Sequence, residues 1–242
     1  MAIAKGAIMA AGEGSRLASL GAAKPLVQVG GQPLICHQLG RLLGAGPFPV
    51  TVALNASLEG VEFSTLPGFS DPRVTRLFLR TPSSLHTFHA ITASWEPFEG
   101  HILAGMVDTI VADGDFATFL SACGTLRASE SLLLLTRYVN DETPVSADVE
   151  QGYVRAIGTP LRADSLVTSG LYCFSHEVLP VLESCLRNGV HRMRSFLARL
   201  VDAGHPVRAH TTDKTIDVDR PEDLREAEAF LGLSTREDVQ EA

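Results

Sequence analysis

Short apolar runs of strand length recur along this chain, and helical patterns fill the gaps between them. The runs are Ala7–Ala11, Val50–Leu54, Val74–Leu79, His101–Ala104 and Leu132–Thr136. A continuously apolar run suits a strand covered on both faces, because successive side chains point to opposite sides. Between the first two, Leu34–Leu43 carries apolar residues at Leu34, Ile35, Leu39, Leu42 and Leu43, and Gly44 and Gly46 stop it. Thr87–Trp95 and Phe116–Leu126 also have helical patterns. This alternation predicts an α/β fold with a mainly parallel sheet, since parallel neighbours need a crossover.

The second half changes character. Residues 143–149 and Tyr153–Ile157 read as a hairpin around Glu150-Gln151-Gly152. Leu166–Phe174 reads as a strand with Gly170 inside it. Val178–Leu186 and Met193–Ala203 read as helices, and Val207–His210 as a strand. Pro221–Leu231 reads as a last helix with acids in its first turn, where the dipole favours them. The expected organisation is one domain over 1–233 and a polar tail over 234–242. At 242 residues and 45% apolar composition, such a domain can bury its own core.

Charge and cysteines exclude several classes. Net charge is −8, which argues against a nucleic-acid or anionic-membrane surface. It leaves room for a small anionic substrate, because local backbone donors, a few basic residues and a metal can outweigh it. Cys36, Cys123, Cys173 and Cys185 are far apart, without a C-x-x-C, so the expectation is reduced and mostly buried thiols. The apolar N-terminus runs into a Gly-rich turn and reads as a first strand, not a signal peptide. No stretch is apolar enough for long enough to span a bilayer. A cytoplasmic location follows by default, and a homodimer is a permitted assembly.

The turn after that strand reads Ala10-Ala11-Gly12-Glu13-Gly14-Ser15-Arg16-Leu17. Small residues let a backbone approach a ligand, and successive N–H groups in such a turn form a concave anion site. Arg16 adds a permanent charge, and Lys24, before Pro25, adds a mobile one. The dinucleotide pattern G-x-G-x-x-G fails at Leu17, and the Walker A pattern is absent. The run AAGEGSRL followed by KPLVQVGGQPLI at Lys24–Ile35 resembles the N-terminal signature of nucleotidyltransferases. These enzymes move a nucleoside monophosphate from a triphosphate onto a phosphorylated sugar, polyol or choline.

The resemblance implies a glycosyltransferase-A-like, Rossmann-like three-layer sandwich with a mixed, mainly parallel sheet. It also implies that Ala10, Ala11, Gly12, Glu13, Gly14 and Ser15, with the side chains Arg16 and Lys24, hold the triphosphate. Transferases of this kind need a divalent metal, here Mg2+, which takes one or two carboxylates plus phosphates and water. Ligands bind beyond the carboxyl ends of strands in open α/β sheets. Asp108, after His101–Val107, therefore reads as the first metal ligand, although the family's usual G-D pair is Val107-Asp108 here. Asp217 and Asp219, in IDVDRPEDL, match a second acidic motif. Residues at i and i+2 of a strand share a side, so both could share the metal.

Further candidates are less sharply marked. Ser84 and Thr87 open a helix where relatives contact base and ribose; they could bind the nucleotide or cap the helix. His86 and His89 form H-x-x-H without a third ligand in view, so no zinc site is expected. Ser169-Gly170-Leu171-Tyr172 matches a family strand that borders the acceptor, which makes Gly170 and Tyr172 acceptor-side candidates. The E-K-P that precedes this strand in many sugar-phosphate members is absent; Ile157-Gly158-Thr159-Pro160 stands there. Arg155, Arg162, His191, Arg192 and Arg194 are the basic residues available to replace its Lys. The expected partners are a nucleoside triphosphate and a phosphorylated small-molecule acceptor. A glycosyltransferase of the same fold, or a silent nucleotide-binding relative, is the alternative. No acyltransferase repeat is present, so a second activity is not expected.

Overall fold

The structure is a computed structural model and describes residues 2–13, 17, 21–139, 143–162 and 164–233. In chain order the strands and helices are β1 (Ile3–Ala10), β2 (Gln28–Val29), β3 (Gln32–Pro33), α1 (Leu34–Gly44), β4 (Val50–Asn55), β5 (Val74–Leu79), α2 (Ser84–Ala93), β6 (His101–Met106) and β7 (Thr109–Ile110). There follow α3 (Asp113–Cys123), β8 (Ser131–Thr136), β9 (Ser146–Glu150), β10 (Tyr153–Ile157), β11 (Leu166–Ser175), α4 (Leu179–Arg187), α5 (Met193–Asp202), β12 (Val207–Thr212), β13 (Ile216–Asp217) and α6 (Pro221–Phe230).

Among the described residues nine strands form one mixed sheet, ordered β5-β4-β1-β6-β11-β8-β12-β10-β9. β5, β4, β1 and β6 pair in parallel, and so do β8 and β12. β11 runs antiparallel between β6 and β8. The hairpin β9–β10 closes the far edge, and β9 also reaches β11.

Alternation along the strands divides the core into two layers. Ile8, Leu103, Leu132 and Leu134 point toward α1, α3 and α6. Ala7, Met9, Ile102, Leu133 and Leu135 point toward α2, α4 and α5. This is the three-layer sandwich that the resemblance implied, and its two helical layers cover the continuous apolar runs. The four cysteines are buried and free. Among the described residues no helix is long and apolar enough to cross a membrane.

Two features of this topology position a site. β4 and β5 lie on one side of β1 and β6 lies on the other, so the strand order reverses between β1 and β6. Their carboxyl ends, Met9 beside Met106, flank a crevice of the kind that binds ligands in open α/β sheets. The second feature is a two-stranded ribbon: β7 and β13 pair antiparallel, with Thr109 opposite Asp217, and Val218 N–H donates to Asp108 O at 2.9 Å. The ribbon brings the acids of two distant segments into one place.

Candidate active site

Lys24 begins a short 3-10 turn over Lys24–Leu26. Its ammonium donates to Asp108 Oδ2 at 2.5 Å and to Asp219 Oδ1. The Lys24 and Asp108 side chains are 11% and 17% exposed, so solvent screens this contact far less than a surface pair. Burial by itself would lower the Lys24 pKa. The charges of Asp108 and then Asp219 outweigh it, and the ammonium is held protonated above its ordinary range.

Asp217 accepts a hydrogen bond from Thr109 Oγ1 at 2.9 Å. Its pKa is pushed up to about 7, first by desolvation and then by the charge of Asp108. The Thr109 bond and Lys24 pull the other way without prevailing. Buried Tyr172 is raised too, by burial and then by Asp217 and Asp108. Three carboxylates thus meet one ammonium, a balance that leaves the cluster short of positive charge.

The backbone around these acids is pinned from several directions. The buried Gln38 side chain of α1 donates to Thr109 O, and Arg41 donates to Val111 O at 2.5 Å. Buried Asp223 accepts from the N–H groups of Asp219 (2.9 Å) and Arg220 (2.8 Å), closing a capping box on α6. Asp223 therefore serves the helix terminus, as the acids of that first turn were expected to do. Gly170 sits at φ +71° in the register shift between β11 and β8. A Cβ there would run into Thr109 Oγ1 and lie 3.1 Å from Met106 Cγ. The closest neighbour of this glycine is thus the residue that holds Asp217. Gly170→Ala is expected to destabilise the fold by about 1–3 kcal/mol, since it adds backbone strain and overpacking together. Denaturant unfolding measures this, and wild-type stability would count against it.

Two hollows border the acids, and a third lies on the far side of Gly12. The first encloses about 280 Å³ between Met9, Ala10 and Gly12 on one side and Lys24, Asp108 and Asp219 on the other. Gly14, Ser15 and Arg16 lie outside the described residues. Asn55 Nδ2 holds the start of this loop by donating to Ala11 O at 2.9 Å. The second hollow, about 270 Å³, is lined by Ser84, Asp108, Thr168, Gly170, Tyr172, Arg192, Arg194, Asp217 and Asp219. Asp217 and Asp219 therefore do face one space. The third, about 540 Å³, runs beside Gly12 and Glu13 to Asn55, Ser57, Arg80 and Thr81.

The structure separates the remaining sequence candidates. Ser83, not Ser84, caps α2, accepting from His86 N–H. Buried Thr87 bonds Thr81 Oγ1 at 2.6 Å and Ser83 O at 3.1 Å, so it stabilises the loop before α2. Ser84 faces the second hollow. Of the basic residues weighed above, Arg192 and Arg194 line that hollow, whereas Arg155 pairs with Glu150 at 3.6 Å. The third hollow escaped sequence reading. Asn55 closes β4 and Arg80 follows β5, so the rule that ligands gather at strand carboxyl ends could have found it.

The family described as the MobA-like NTP transferase domain matches this chain over residues 6–205. The chain belongs to this family. Among curated proteins it is similar to the bifunctional protein GlmU of Anaeromyxobacter dehalogenans, with 29% identity over 193 residues, 71% of this chain and 37% of that protein. The chain thus spans well under half the length of the curated relatives it matches. Among solved structures it resembles the inositol-1-phosphate CTP transferase from T. maritima, with a TM-score of 0.74 and 17% identity, covering 97% of this chain and 99% of that one. A UDP-glucose pyrophosphorylase complexed with UDP-glucose gives a TM-score of 0.75 at 14% identity, covering 95% and 98%. At such identities these likenesses bear on the fold, and they agree with the Rossmann-like α/β architecture.

Proposed function

We propose that this transferase moves a nucleoside monophosphate from a nucleoside triphosphate to a phosphorylated small molecule, with Mg2+, and releases pyrophosphate. The observation that carries this reading is the Lys24 ammonium set between Asp108 and Asp219 at the mouth of the β1–β6 crevice. The triphosphate lies along residues 10–16, with its α-phosphate beside Lys24. Base and ribose extend into the hollow lined by Asn55, Ser57 and Arg80. The acceptor occupies the hollow bordered by Gly170 and Tyr172.

The donor set suits magnesium. A cation already stands between two of the carboxylates, in the form of the Lys24 ammonium. Among the described residues no group of three or more His, Cys, Asp or Glu side chains is arranged to enclose a metal. Mg2+ needs no such cage, because one or two carboxylates plus substrate phosphates and water complete its shell. Asp108 and Asp219 would hold it, with Asp217 behind them. When bound, it neutralises phosphate charge and orients the oxygens.

An acceptor phosphate oxygen attacks the α-phosphorus in line. The new P–O bond forms as the bond from the α-phosphorus to the α,β-bridging oxygen breaks, and the electron pair leaves on pyrophosphate. The acceptor is already anionic, so no general base is required. Lys24 and the loop N–H groups neutralise charge and hold both reactants in line.

Pyrophosphate release from each nucleoside triphosphate, paired with a panel of phosphorylated sugars, polyols and choline, tests the proposal. Magnesium-dependent release with at least one pair is expected; none, together with no nucleotide binding, would overturn it. Lys24→Gln is expected to cut turnover roughly 10²-fold or more, as loss of one charge-stabilising donor does. It should also lower the metal-free stability by about 3 kcal/mol, because Asp108 and Asp219 lose their partner. Mg2+ should then raise the melting temperature of the variant more than that of the wild type.

A further inference from the structure

The acceptor hollow is lined by groups of opposite charge, and they come from opposite layers of the fold. Asp108, Asp217 and Asp219 hang from segments anchored by Val107, Ile216 and Val218 in the α1/α3/α6 layer. Arg192 and Arg194 face the same hollow from the start of α5, whose Met193 and Leu197 pack in the α2/α4/α5 layer.

Their placement works against the helix. Arg192 is the N-cap of α5, no side chain caps that terminus, and its first turn has no acid. Positive charge there opposes the macrodipole and costs several tenths of a kcal/mol per residue. Neither guanidinium meets a carboxylate among the described residues; Arg194 reaches only Thr143 Oγ1, at 3.3 Å. α2 also begins at this hollow, through Ser83 and Ser84. Nearby His86 stacks on His191, with ring centres 5.2 Å apart and planes 12° from parallel. Burial, then His191 and His89, lower the His86 pKa, so the permanent charge of this wall belongs to the arginines.

The attacking phosphate must reach the α-phosphorus beside Lys24 and the acids. The arginine wall therefore faces the remainder of the acceptor. We propose that the acceptor carries a second acidic group, a carboxylate or a further phosphate, which Arg192 and Arg194 bind. This rests on the transferase reading above and adds the substrate class. Planar guanidinium groups suit both kinds of anion, since each can be gripped through two N–H donors.

Matched probes test it: glucose 1-phosphate against glucuronic acid 1-phosphate and glucose 1,6-bisphosphate, and glycerol phosphate against phosphoglycerate. Calorimetric titration into the full chain with Mg2+ reads affinity, and pyrophosphate release reads turnover. Within at least one set the doubly acidic member should bind at least tenfold tighter, and R192Q/R194Q should reduce that preference below twofold. The carboxylate and bisphosphate arms separate the two anion types. Because both arginines oppose the dipole, R192Q/R194Q should melt no lower than wild type, and R192K/R194K should retain part of the preference. Equal binding within every set, including none, overturns the inference, as does a preference that survives R192Q/R194Q. Turnover without preference would sink the inference and keep the transferase reading. Preference without turnover would do the reverse for these acceptors.

Discussion

Replacing Asp108 with asparagine is expected to reduce pyrophosphate release roughly 10²–10³-fold, the scale on which loss of one preorganised charge interaction acts. The side chain does two jobs that an amide cannot do. It neutralises the Lys24 ammonium at 2.5 Å, and it offers the carboxylate through which magnesium would be held. The fold should survive, because the features that carry this turn are backbone ones. Val218 N–H donates to Asp108 O, and Thr109 pairs with Asp217 across the ribbon. The substitution would also leave Lys24 with Asp219 as a partner. The loss should appear in kcat with a melting temperature near that of the wild type. A variant that retains a tenth or more of the turnover would remove Asp108 from the reaction centre.

The parts of this fold that were legible in the sequence are those whose signal is local. Leu132–Leu135 is apolar at every position because both layers cover it, and it reads as a buried strand for that reason. The end of β1 at Ala10 is legible because the apolar run Ala7–Ala11 gives way to Gly12-Glu13. Helix starts shifted when capping outweighed apolar pattern. α3 begins at Asp113 instead of Phe116, since Asp113 and Asp115 favour its first turn, and α2 begins at Ser84 under the Ser83 cap.

What stayed hidden depends on pairing at long range. β7 and β13 are two residues each, too short for any periodicity, yet their ladder brings Asp108 to Asp219. That Lys24 would stand between these acids is written in neither motif. Gln38 is a polar residue inside the helical run Leu34–Leu43, and its purpose is visible only where its amide meets Thr109 O. The proposed nucleoside hollow was missed because Asn55 and Arg80 carry no signature of their own. The acceptor side was poorly marked for a different reason. Arg192 and Arg194 stand at the start of α5, 84 and 86 residues beyond Asp108, and only packing brings them to one hollow.

Asp217→Asn is expected to stabilise the metal-free protein at pH 8 and to flatten its dependence on pH. Asp217 titrates at about 7, well above an ordinary carboxylate near 4, because it is desolvated and faces Asp108. Asp219 adds to the repulsion, while Thr109 and Lys24 oppose it. The sign follows from linkage. A raised carboxylate pKa means that the fold favours the protonated form, so the folded chain binds more protons than the unfolded one between these two values. Its contribution is fully present below about 4 and is lost as pH rises through about 7. The loss is on the order of a few kcal/mol for a displacement of this size. An asparagine never acquires the charge, and its carbonyl can still accept from Thr109 Oγ1. With EDTA present, the wild-type melting temperature should therefore fall from pH 5 to pH 8 while that of the variant holds and exceeds it at pH 8. Magnesium should reverse the order, because a divalent cation relieves the repulsion that the variant no longer has. Wild-type stability that is flat with pH, or a variant that melts below wild type at pH 8 without metal, would contradict this account of Asp217. Turnover supplies the independent check: if Asp217 supports the metal from behind, the variant should lose roughly 10–100-fold.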